Sequence, residues 1–216
     1  MAAKVRVGVL ASGRGSNFDA LLRAAQAGAL QARVACLVTD NPQAGALAIA
    51  DRHGIPSLVI DPGPRRARLA EAAERGIVNA LRAHGVDLVC LAGFMRIVGP
   101  ILLDAFPRAV LNIHPSLLPS FPGLEAQRQA LGHGVKVSGC TVHLVDAGVD
   151  SGPIVLQAPV AVLDDDTPET LAARILEREH EIYARAVRLW AQGRLRVEGR
   201  RVVILPETPR PAETKS

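Results

Sequence analysis

The stretch Leu111-Asn112-Ile113-His114-Pro115-Ser116-Leu117-Leu118-Pro119 sets an amide beside an imidazole at the end of an apolar run. Residues 109–113 read as a strand, and residues two apart on a strand share a face. Pro115 withdraws a backbone donor and stops the strand. In an open α/β sheet, ligands bind beyond the carboxyl ends of the strands, which places the chemistry here. An amide can donate to a developing oxyanion, and an imidazole can exchange protons near neutral pH. No protein nucleophile accompanies the pair, because Ser116 follows a proline and lies in no G-x-S-x-G elbow. The chemistry this pattern suits is direct attack by a group of the substrate. An acid must orient or charge the imidazole, and the loop 145–152 offers Asp146 and Asp150. That loop also reads simply as a set of Asx turns. A third reading joins His114, His143, Asp146 and Asp150 into a metal site, although their spacing matches no familiar ligand pattern.

Two further places carry polar groups where chemistry could use them. After the strand 5–11, Ser12-Gly13-Arg14-Gly15-Ser16-Asn17 is a turn of small residues that opens a helix from Phe18, with Asn17 as its cap. Such a turn brings backbone N–H groups and a helix N-terminus to a phosphate, and Ser16 and Asn17 add polar side chains. A dinucleotide fingerprint would need a glycine where Phe18 stands, and Asp40 lies farther on than the ribose-binding acid of that motif. On the last long helix, Leu171, Ile175, Ile182, Tyr183, Ala186 and Trp190 fall on one face. Glu179 falls near the centre of that stripe, where a buried carboxylate needs a partner: an arginine of another element, or an amine of the substrate.

The elements that must position these groups follow from the remaining pattern. The 216 residues are 49% hydrophobic but only 3% aromatic, so the core is aliphatic. The net charge of +4 is spread without a long Lys/Arg run, which argues against nucleic acid and allows an anionic substrate. Cys36, Cys90 and Cys140 lie in apolar runs with no C-x-x-C, the pattern of buried thiols in a reducing cytoplasm. No signal-like or membrane-length apolar segment occurs. Strands are expected at 5–11, 33–39, 57–60, 88–92, 109–113, 136–145 and 154–162, and a hairpin around Glu198-Gly199-Arg200. Helices are expected at 18–27, 44–53, 66–84, 100–105, 123–131 and from a Thr167 cap with Pro168 to about Trp190. Pro159 suggests an edge strand. The alternation predicts an α/β fold: a mostly parallel, mixed, twisted sheet with helices on both faces, Rossmann-like, as one unit over 1–205 with a flexible tail over 206–216.

Taken together, these residues resemble the folate-dependent formyltransferases, and within them the glycinamide ribonucleotide formyltransferase family of purine synthesis. The matching stretches are Ser12–Asn17, Leu91–Ile97, Leu111–Pro119, Phe121–Gly123, Gly139–His143 and Asp150–Ile154. The resemblance implies a catalytic trio of Asn112, His114 and Asp150. It implies that Gly15, Ser16 and Asn17 meet the substrate phosphate and that Glu179 lies on the substrate amine side. It implies folate contacts from Met95, Arg96, Ile97, Val98, Asn112, Val145 and Asp146. The co-substrate implied is 10-formyltetrahydrofolate, the acceptor is the amine of 5-phosphoribosyl glycinamide, and no metal is implied. The expected partners are these small molecules, not nucleic acid or membrane, in a cytoplasmic monomer or homodimer. Family members often carry an arginine toward the folate where this chain has Ala70, which leaves Arg66 or Arg68 to substitute. Some have a lysine near the substrate amine where this chain has Leu176. The nearest alternatives are a formyltetrahydrofolate hydrolase, a transfer-RNA formyltransferase and a non-enzymatic sensor of a phosphorylated ligand. The start of the first strand at Val5 and the short stretch after Trp190 argue against the extra domains of the first two.

Overall fold

In a computed structural model describing residues 4–64 and 67–207, one nine-stranded sheet runs through the chain. Its strands are β1 (Val5–Leu10), β2 (Ala32–Thr39), β3 (Ser57–Val59), β4 (Leu88–Leu91), β5 (Val110–His114), β6 (Val137–Leu144), β7 (Ile154–Ala161), β8 (Leu195–Glu198) and β9 (Arg201–Ile204). Their spatial order is β3-β2-β1-β4-β5-β6-β7-β9-β8. β1 to β5 pair in parallel, whereas β6 runs antiparallel to both β5 and β7. The mixed sheet expected from the change of connection in the second half is therefore present. The tail from residue 208 and Arg66 lie outside the described residues.

The helices are α1 (Ser16–Gln26), α2 (Gly45–Arg52), α3 (Glu71–Ala83), α4 (Pro100–Ala105), α5 (Ala126–Gly132) and α6 (Pro168–Ala191). Two apolar cores follow from strand alternation. Val7 and Val9, Leu88 and Cys90, and Leu111 and Ile113 bury against α1, α2 and α6. Leu10, Val89, Leu91 and Val110 bury with α3 and α4 on the other face. Burial pushes the Cys36 thiol up to about 11 and the Cys90 and Cys140 thiols up to about 12, so all three are inert.

Several expectations differ from the structure, and α5 begins at Ala126 rather than at residue 123. The third helix begins at Glu71, not at residue 66: Ala70 N–H is held by the Pro62 carbonyl, and Arg68 forms a β-bridge with Ile97. Asn17 is not the cap of α1. Gly15 takes that place with φ of 83° and no side-chain cap. A Cβ there would come within 2.8 Å of the Ala46 backbone, so the turn packs against α2 only as glycine. Pro159 is not on an outer strand, because β7 lies between β6 and β9. The β9 pairing, however, is at Ile154 alone, leaving Pro159 beyond it.

Thr167 and Pro168 start α6 as the sequence implies, with Thr167 accepting from the Thr170 N–H. The buried Tyr183 hydroxyl then reaches the Leu91 carbonyl at 2.9 Å and the Leu111 carbonyl at 3.1 Å. This ties α6 to β4 and β5, the strands that lead to the site.

Candidate active site

β1 has β2 on one side and β4 on the other, so the chain reverses its winding direction at β1 and β4. A doubly wound sheet opens a crevice at such a point, beyond the carboxyl ends of the strands. A cavity of about 650 Å³ lies there. The turn after β1 and the turn after β4 form its floor. Ser12 N–H bonds to the Gly93 carbonyl, and Met95 N–H to Ser12 Oγ at 2.9 Å. Asp40, at the end of β2, accepts from Ser12 Oγ at 2.5 Å and from Arg96 Nε at 2.6 Å. Its carboxylate is committed to protein groups, which removes it as a ribose-binding acid.

Asn112 and His114 share a face of β5, as their spacing requires, and both line the cavity. The antiparallel register sets His143 of β6 opposite Asn112, and Thr141 opposite His114. Thr141 Oγ1 donates to the Ser116 carbonyl and accepts from Leu118 N–H, pinning the proline-rich loop. That loop brings the Phe121 carbonyl to 2.9 Å from His114 Nε2. A carbonyl only accepts, so Nε2 carries hydrogen. His114 Nδ1 faces Asp150 Oδ2 at 3.4 Å. A second proton, on Nδ1, gives an imidazolium with an acceptor at each nitrogen.

Asp150 is the hub of the cluster. It accepts from Gly123 N–H at 2.8 Å and from Asn112 Nδ2 at 3.3 Å, and His143 Nε2 lies 3.6 Å away. Burial alone would raise its carboxyl. The His143 imidazole, the Gly123 N–H and the charge of His114 outweigh burial and hold it below its ordinary value. Its backbone sits in the left-handed region at φ of 50°, which Asp tolerates better than most residues. Gly152 fixes that geometry, since a Cβ there would meet the Leu144 carbonyl at 1.8 Å. Asp146 serves its own loop, accepting from Gly148 N–H and Ser151 Oγ in the Asx-turn manner. It lines the cavity without joining the cluster, so the structure brings Asp150, and not Asp146, to the Asn-His pair.

The other expected residues fall on the same cavity. Ser16 and Asn17 line one end, with Gly15 buried beneath them. The first α1 bond is Asp19 N–H to the Gly15 carbonyl, so the N–H groups of Ser16, Asn17 and Phe18 precede the helical ladder. Glu179, only 6% exposed, meets neither an arginine nor open solvent: Asn17 Nδ2 donates to its Oε2 at 2.7 Å. Burial raises the Glu179 carboxyl and the Asn17 bond only partly offsets this. Asn17 Oδ1 is buried without a partner. Met95, Arg96, Ile97, Val98, Val145 and Asp146 line the opposite wall, with Met95 and Leu124 exposed at the rim. Ala67 lines the cavity, but Arg68 does not. The sequence reading missed His143 as a partner of the Asn112–Asp150 pair. An antiparallel strand after β5 was the signal that could have placed it.

This geometry is a crevice for acyl-type transfer between two bound molecules, and the comparisons agree. Residues 5–187 match the family described as formyl transferase, and the chain belongs to that family. The phosphoribosylglycinamide formyltransferase of Mycobacterium tuberculosis is 44% identical over 208 residues, covering 94% of this chain and 95% of that protein. The crystal structure of glycinamide ribonucleotide transformylase 1 from Symbiobacterium toebii superposes with a TM-score of 0.90 at 54% identity, over 95% and 96% of the two chains. A formyltetrahydrofolate deformylase from Pseudomonas syringae pv. tomato is similar at a TM-score of 0.86 and 30% identity, over 95% of this chain and 67% of that one.

Proposed function

We propose that this chain transfers the formyl group of 10-formyltetrahydrofolate to the amine of 5-phosphoribosyl glycinamide, a step of purine synthesis. The observation that carries the reading is the convergence of Asn112, His114 and Asp150 on a cavity whose other end is the open N-terminus of α1. The amine nitrogen bonds to the formyl carbon, and the bond from that carbon to the folate nitrogen breaks. One amine proton ends on that folate nitrogen. Asn112 and a protonated His114 stabilise the oxyanion formed on the way, and Asp150 stabilises the charged imidazole. The Asn112 N–H groups rest at 3.1 Å from His143 and 3.3 Å from Asp150. The Asp150 contact is longer than the usual hydrogen-bond range, and catalytic hydrogen bonds commonly tighten only with the transition state.

The folate lies along the wall of Met95, Arg96, Ile97, Val98, Val145 and Asp146. The phosphate lies at Gly15, Ser16 and Asn17, through backbone N–H groups rather than the committed Asn17 amide. Glu179 and Asn17 Oδ1 form a corner of acceptors, suited to the hydrogen-bond donors of the acceptor substrate. Residues 1–205 act as one unit, in the cytoplasm. Loss of 10-formyltetrahydrofolate, measured with and without the glycinamide acceptor, tests the proposal. Loss that requires the acceptor supports it. Equal loss without acceptor makes the chain a hydrolase of the deformylase kind instead.

A further inference from the structure

We infer that Arg14 reads the phosphate of the acceptor and sets the preference for a phosphorylated over a dephosphorylated acceptor. This rests on the formyl-transfer reading above. A phosphate dianion bound beside Glu179 requires a counter-charge, and the cavity wall supplies few. α6 contributes Ala172, Leu176 and Glu179, with no cation among them. Among the described residues, the guanidinium groups on the lining are Arg14 and Arg96. Arg96 is neutralised by Asp40, 2.6 Å away. Arg14 lies one residue before the Gly15 cap, is exposed, and among the described residues forms no ion pair. Its backbone is held close to α2: Ala46 N–H bonds to the Gly13 carbonyl, and a Cβ on Gly45 would meet the Arg14 carbonyl at 3.1 Å. The backbone at Arg14 is thus packed against α2, while its side chain forms no ion pair among the described residues. A guanidinium fork and the N–H groups of Ser16, Asn17 and Phe18 then bear on the same anion.

Phosphate lies away from the reacting carbon, so its contacts act equally on ground and transition states and appear in KM. Arg14→Ala raises the acceptor KM about 10- to 100-fold, the loss expected for hydrogen bonds to a charged group. kcat and the folate KM stay within a few-fold. Arg14→Lys, which keeps the charge but not the fork, falls between. Acceptor kcat/KM also depends less steeply on salt in Arg14→Ala than in the wild type. The dephosphorylated acceptor is used equally by both. An unchanged acceptor KM, or an equal loss with the dephosphorylated acceptor, overturns the role of Arg14. Titration with inorganic phosphate, followed by the amide resonances of Ser16 and Asn17, separates this from the functional reading. Phosphate binding that weakens in Arg14→Ala upholds the role of Arg14 even if the wild type fails to formylate, and binding that is absent or unchanged overturns it even if the wild type is active.

Discussion

Asp150→Asn tests the mechanism most directly. The left-handed backbone at residue 150 is tolerated by Asn as by Asp, so the loop keeps its shape. The Asn carbonyl can still accept from Gly123 N–H, 2.8 Å from Oδ2 in the native chain. What is lost is the negative charge facing His114 Nδ1 at 3.4 Å and Asn112 Nδ2 at 3.3 Å. Without it the charged imidazole loses its stabilising partner, and the amide NH2, itself a donor, replaces the oxygen that accepted from Asn112 Nδ2. Loss of one oxyanion-stabilising donor costs about 10²- to 10³-fold in kcat, or ~2.7–4 kcal/mol. The expected fall in kcat is therefore on the order of 10²-fold or more. Both KM values should change much less, since the loss falls in the transition state. Steady-state formyl transfer, with the His114→Ala single and double variants alongside, measures all of this. Groups acting as a unit are non-additive, so the double variant should be little worse than the worse single one. A variant with kcat within about three-fold of wild type, against the ~10²-fold expected, would refute the trio.

The remaining expectations concern the supports of the site. Glu179 carries a raised carboxyl in the fold, so its contribution to stability is fully present below its unfolded value and is lost as pH rises through the folded one. Glu179→Gln should therefore melt at or above the wild-type temperature at pH 8, lose that advantage near pH 4, and raise the acceptor KM more than the folate KM; a lower melting temperature at pH 8 contradicts the burial argument. Tyr183→Phe leaves the Leu91 and Leu111 carbonyls without their hydroxyl and should cost about 1–3 kcal/mol in urea denaturation. Gly152→Ala forces a Cβ into the Leu144 carbonyl, so it should destabilise by about 1–3 kcal/mol and lower kcat by displacing Asp150; unaltered kinetics would show the loop to be more tolerant than its contacts imply.

Local sequence was enough for the strand that carries Asn112 and His114, because a two-residue spacing on a strand fixes a shared face whatever the neighbours are. It was enough for α6 as well, where Thr167, Pro168 and an apolar stripe mark start, direction and buried face, and where Glu179 stood out as a carboxylate in need of a partner. The turn after β1 was legible as small residues entering a helix, but not its cap. The choice of Gly15 over Asn17 depends on α2 packing against the turn, a contact from another part of the chain. The start of α3 failed for the same reason: residues 67–70 give up helical bonds for contacts with Pro62 and Ile97. The choice between Asp146 and Asp150 could not be made from residue types, since both are acids in one loop. Strand order and the antiparallel β5–β6 register decided it, together with the left-handed turn that carries the Asp150 carboxylate to Gly123 and His114. Those are distances between segments far apart in the chain, set by how the whole sheet assembles; local pattern determines which face a side chain takes, and tertiary packing determines what it meets there.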